Sequence, residues 1–148
     1  MLDSLESLFI RDLEKVSLEI EAYDSEELLW KRVEGISNPA GNLALHLIGN
    51  LNTYIGKNLG NTGYVRNRPA EFSDISSKEQ ILNGLKETSN MIRATFATLS
   101  DSGLNLEYPT QDLGYPMTTG YFLVHLHGHL NYHLGQINYH RRLIKNIK

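Results

Sequence analysis

Four of the six histidines in this chain, His125, His127, His129 and His133, fall within nine consecutive residues of a segment that reads as helix. At 100° per residue, with His125 at zero, His129 lies at about 40° and His133 at about 80°; His127 lies at about 200°, on the far side. Three imidazoles therefore climb one helix face. Imidazoles four residues apart on a helix can reach one metal ion, as in the i, i+4 pairs of zinc enzymes. Burying several neutral imidazoles without partners is costly, and a shared cation removes that cost. The chemistry on offer is coordination of a divalent cation. With no cysteine in the chain, thiolate ligands, disulfides and a cysteine nucleophile are excluded.

A second segment echoes the first. His46-Leu47-Ile48-Gly49-Asn50-Leu51-Asn52-Thr53-Tyr54-Ile55-Gly56 lies over His125-Leu126-His127-Gly128-His129-Leu130-Asn131-Tyr132-His133-Leu134-Gly135, with six of eleven positions identical. Glycine inside a helix costs about 1 kcal/mol relative to alanine. The shared Gly-x6-Gly spacing therefore predicts equivalent packing, each glycine pair admitting a close neighbour. The echo places His46 on the same kind of face as the ladder, so neighbouring helices would bring three imidazoles together. Two ligand sets meet that condition: His46 with His129 and His133, or His46 with His125 and His129. His140, two turns beyond His133, is expected at a polar surface or behind the ligands, and His127 is expected to be exposed.

His129-Leu130-Asn131-Tyr132-His133-Leu134-Gly135-Gln136-Ile137 resembles the H-x3-H-x-G-Q-[IV] signature of the DinB-like (YfiT-like) four-helix-bundle family. Ala44-Leu45-His46-Leu47 resembles that family's histidine segment on its second helix. In layout the resemblance covers nearly the whole chain. It implies a divalent metal held by His46, His129 and His133, leaving His125 as a neighbour. It also implies a homodimer and an activity among thiol-dependent transferases, isomerases and metal hydrolases.

Three neutral imidazoles leave the ion its full charge and an open position. A metal so held can lower the pKa of bound water to about 7, polarise a carbonyl or hold a thiolate. Zinc or nickel suits imidazole best, and manganese and iron are compatible. Asn50, Tyr54 and Gln136 share faces with the ligands, so they are expected to line the site or to fix the imidazole tautomers. Arg66 and Arg68, in Arg66-Asn67-Arg68-Pro69-Ala70-Glu71-Phe72, either clamp a substrate carboxylate or phosphate or pair with Glu71 to brace the loop. No H-E-x-x-H motif occurs, and no general base is evident. With these residues, the resemblance implies a metal-dependent enzyme, a hydrolase or a transferase using a low-molecular-weight thiol, acting on a small molecule. The alternative is a non-catalytic metal-binding bundle serving as sensor, carrier or structural dimer.

The elements that must hold these residues are helical. Periodicity predicts helices over residues 2–23, 39–59, 77–99 and 119–147, with a short extra helix at 26–33. Asn38 is the expected cap of the second, with Pro39 in its first turn. Ser76 and Glu79 form the expected capping box of the third, and Thr118 or Thr119 caps the last. Residues 64–74 and 104–117 read as long connections of the sort that often carry function. The sum is an all-α four-helix bundle with long inter-helix connections, one domain over residues 1–148. A net charge of −3 without a basic cluster gives no reason to expect nucleic acid or an anionic membrane as partner. The N-terminal residues lack a signal-peptide pattern and no apolar run reaches membrane-spanning length, so a cytoplasmic protein is expected.

Overall fold

Apolar residues spaced three and four apart give each long helix one stripe to bury, and four such stripes close on a common core. The computed structural model describes residues 1–145. Helix α1 (Leu2–Glu21) contributes Leu5, Phe9, Leu13, Val16 and Ile20. A 3-10 turn (Glu26–Trp30) then drops Leu29 into the core and lays the Trp30 ring against Gly41, where a Cβ would collide with it.

Helix α2 begins at Ala40, with Pro39 at the capping position and no side chain bonding its first turn, so Asn38, the expected cap, does not cap it. It runs as α-helix from Ala40–Leu51, passes through a π turn (Asn52–Lys57) and finishes at Asn58–Gly60. The π turn has a visible cause. Asn52 donates to the Ile48 carbonyl at 2.9 Å and Thr53 to that of Gly49 at 2.7 Å, competing with the backbone for acceptors four residues back. The helix stops where Asn61 takes φ 51° and the Thr62 N–H bonds the Gly56 carbonyl.

Residues 64–74 are not all loop. Helix α3 (Arg68–Ser73) forms there, its first turn capped by the Asn67 side chain and started by Pro69. Six residues are too few to show a periodic pattern. The capping box of α4 (Lys78–Phe96) sits one residue beyond the expected one: Ser77 accepts from the Gln80 N–H and Gln80 accepts from the Ser77 N–H. After a 3-10 turn (Ser102–Asn105), the second connection is pinned by Tyr108 N–H to Met117 and Thr119 N–H to Leu106. That gives one isolated bridge and no strand among the described residues. Thr118 caps α5 (Thr119–Ile144) by accepting from the Tyr121 N–H; the expected extension to about residue 147 lies outside the described residues.

Helices α1 and α2 each pack against α4 and α5 and touch one another little, so they stand diagonally across the bundle. The fold is all-α, as expected. No helix among the described residues is long and apolar enough to cross a membrane.

Candidate metal centre

Leu47 and Leu51 on α2 and Leu126, Leu130 and Ile137 on α5 are buried, and burying them sets the adjoining polar stripes face to face. His46 Nε2 lies 3.2 Å from His129 Nε2, which lies 3.0 Å from His133 Nε2. All three atoms fall within 4.8 Å of one another, in a group able to hold a metal ion. His125 is not part of it. Its ring is exposed and stacks on Phe122 at 5.7 Å, so the ligand set built on His125 and His129 is not the one that converges.

The outer nitrogens fix which way the inner ones point. His46 Nδ1 meets Glu71 Oε1 at 3.0 Å, and His133 Nδ1 meets Gln136 Oε1 at 2.6 Å. A carboxylate and an amide oxygen only accept, so both Nδ1 atoms carry the proton and both Nε2 atoms present lone pairs. His129 stands between them, its buried Nδ1 without a hydrogen-bond partner among the described residues. A proton on His129 Nε2 satisfies one neighbour and leaves the other lone pair facing it; a proton on Nδ1 leaves three lone pairs converging. A cation among the three removes the conflict, so the donor set fits a divalent metal.

Burial also keeps these rings in the ligating form. It pulls His129 down to about 3, helped by the neighbouring His133 and His46. Burial lowers His133 as well, against the opposing hydrogen bond to Gln136. For His46, burial outweighs the Glu71 carboxylate, and the net direction is down.

Glu71 is the functional residue that sequence spacing missed. Asn42 donates to the Glu71 carbonyl at 3.0 Å and the His46 ring lies 5.2 Å from that of Phe72, so α3 is held against α2. Arg66 grips the Glu71 carboxylate with two bonds of 2.8 Å, leaving Oε1 aimed at His46. Gly49 makes this possible, because a Cβ there would land on Glu71 Oε2. The Arg66–Glu71 pairing was one of two expected roles for this loop, and the available signal was a lone acid between capped turn residues. The supposed equivalence of the four glycines fails here. A Cβ at Gly49 or Gly56 meets neighbouring side chains, whereas one at Gly128 or Gly135 meets nothing within 4 Å among the described residues.

A cleft of about 410 Å³ opens beside the triad, walled by His46, His129, Asn50, Tyr54, Phe122 and His125, with Arg66, Arg68 and Asp112 around it. Asn50 and Tyr54 line this cleft, and Gln136 meets His133 from the other side. Arg66 is held by Glu71; Arg68 is exposed above the Phe72 ring at 5.7 Å.

Two histidines sit elsewhere than expected. His127 is half-buried, bonded to the fully buried Asp12 at 2.8 Å and set edge-on to Phe9. Burial would raise Asp12, but hydrogen bonds from Arg11, Asn131 and His127 outweigh it and hold the carboxyl well below its usual range. His140 is 1% exposed, with the Tyr23 hydroxyl 2.7 Å from Nδ1 and the Lys31 carbonyl 2.8 Å from Nε2. Both are structural clamps, joining α5 to α1 and to the segment after the first 3-10 turn.

No curated protein matches the chain. Among solved structures, a DinB-like protein from Bacillus cereus is similar, with a TM-score of 0.70 and 19% identity, covering 90% of this chain and 86% of that one. At that identity the likeness speaks to the fold alone. The description "DinB superfamily" matches residues 9–137, a span that includes His46, His129, His133 and Glu71. The chain belongs to the DinB superfamily.

Proposed function

We propose that the protein binds one divalent metal ion through Nε2 of His46, His129 and His133 and acts as a metal-dependent enzyme, a hydrolase or a thiol S-transferase, on a small molecule held in the adjoining cleft. The observation that carries this reading is the convergence of three Nε2 atoms, two with lone pairs fixed inward by Glu71 and Gln136. Zinc or nickel suits the all-imidazole donor set best. When bound, such an ion would supply Lewis acidity at an open position, the property by which water, a carbonyl or a thiol is activated.

The chain's own residues do the remainder. Glu71 holds the proton on His46 Nδ1 and supports the ring's basicity, as outer carboxylates do for ligating histidines. Arg66 keeps that carboxylate in place. Buried His46 and half-buried His129 both border a cleft of small-molecule size, which favours an accessible centre over a sealed structural one. Arg68, exposed beside it, is the cation available to a substrate's negative group.

Elemental analysis after exposure to zinc or nickel tests the reading. The expected result is one metal per chain in the wild type and in His125→Ala, and little or none in His46→Ala, His129→Ala or His133→Ala. A wild type that retains no metal, or triad variants that bind as well as wild type, would overturn it.

A further inference from the structure

The two echoing segments run antiparallel. Along α2 from His46 to Tyr54, the partner on α5 moves backwards from His129, 3.2 Å between ring nitrogens, to Phe122, 5.3 Å between ring centroids. An approximate half-turn therefore exchanges the segments. Under it, His46 facing His129 and His133 corresponds to His125 beside Asn50 and Tyr54, because Asn50 aligns with His129 and Tyr54 with His133. The image half of the site borders the same cleft but has Asn50 and Tyr54 where the first half has two imidazoles, and it offers hydrogen bonding where the first half offers ligation.

Asn50 is the informative residue of that half. It is 7% exposed, lines the cleft one helical turn from His46, and its Oδ1 has no hydrogen-bond partner among the described residues. A buried acceptor left unpaired costs free energy that a ligand's donor would recover. The second polar feature is Arg68. Arg66 is already neutralised by Glu71, whereas Arg68 has no acidic partner among the described residues and borders the same cleft. Asp112, across the cleft, accepts from the Thr110 hydroxyl.

We propose that Asn50 and Arg68 form a substrate subsite for a small carboxylate-bearing amide, the amide N–H donating to Asn50 Oδ1 and the carboxylate pairing with Arg68. An amide suits the spacing because its carbonyl and its N–H are neighbours, as the His46 and Asn50 side chains are neighbours on one helix face. The cleft volume of about 410 Å³ fits a small molecule. The subsite rests on the metal reading above, since the amide carbonyl is turned towards the triad.

Calorimetric titration of the zinc-loaded full chain tests it with three probes: succinic monohydroxamate, butyrohydroxamate (no carboxylate) and N-methyl succinic monohydroxamate (no N–H). The first should bind about tenfold more tightly than either of the others. Arg68→Gln should abolish the preference over butyrohydroxamate, and Asn50→Leu the preference over the N-methyl probe. Both variants should keep wild-type helicity and one zinc per chain. Equal binding of the three probes by the wild type, or preferences that persist in the variants, would overturn the subsite. So would loss of zinc in Asn50→Leu, which would make the carboxamide a ligand. Failure of the wild type to take up zinc is a separate result, and it removes the metal reading together with the subsite built on it.

Discussion

The segments from His46 to Gly56 and from His125 to Gly135 share six of eleven residues, yet they live in different surroundings. On α2 the leading histidine is buried and held by Glu71; on α5 its counterpart is exposed on Phe122. Gly49 lies under the Glu71 carboxylate and Gly56 against Met91, while Gly128 and Gly135 meet nothing within 4 Å. At His46 and Gly49 the cause of the difference is α3, which covers α2 and has no counterpart over α5 among the described residues; at Gly56 it is Met91 of α4. A repeated sequence thus yields one half that is built to present a ligand and another that walls a cleft. Environment supplied from outside the repeat decides which.

The largest break in the comparison is expected at Gly49. Gly49→Ala pushes Glu71 off His46 and should destabilise the fold by about 3 kcal/mol, the order expected when a buried charge pair is broken. Chemical denaturation measures it, and zinc affinity should fall in the same variant. Next comes Glu71→Gln, which keeps the shape but weakens the hold on His46 and leaves Arg66 without its carboxylate. Loss of such an outer carboxylate typically costs about 10–100-fold in metal affinity, so competition with a chelator should show a weakening in that range.

Acid should act on the metal-free protein through the same buried rings. Burial lowers His46, His129, His133 and His140 below the ordinary 6.5, His129 to about 3. Below about pH 6.5 the unfolded chain therefore binds protons that the folded chain refuses. Stability is full above that value and is lost as pH falls towards the folded-state values. Thermal melting between pH 7 and pH 5 should show a fall on the order of 5 °C; a flat profile would contradict the burial argument. The smallest effect has the opposite sign: Gly128→Ala and Gly135→Ala should each stabilise by up to about 1 kcal/mol, because alanine favours helix and nothing obstructs the new methyl. Destabilisation there would show that α5's glycine face is covered after all.

Much of this was legible in the sequence, and the misses have physical reasons. The helices followed from periodicity; i, i+4 spacing and the echo between two helices are local signals that narrowed the ligands to two sets, and the resemblance to the DinB-like family selected His46, His129 and His133. Glu71 lies 25 residues from His46 and reaches it only through the docking of α3, whose six residues leave no periodic trace. Ser76 and Ser77 each precede a suitable partner three residues on, so the capping box was readable only to within one position. His127 and His140 sat correctly on their helix wheel, but the wheel could not reveal Asp12 or Tyr23 across the interface. The glycine spacing was real, and its packing consequence held for one helix only.

Imidazole nitrogen NMR during a zinc titration of the wild-type chain tests the central claim most directly. The side chains of His46, His129 and His133 should respond together at one equivalent of zinc. Each should take the tautomer with Nε2 coordinated and Nδ1 protonated, while His125, His127 and His140 stay where they were. A response from His125 in place of one of the three, or none from any histidine, would contradict it.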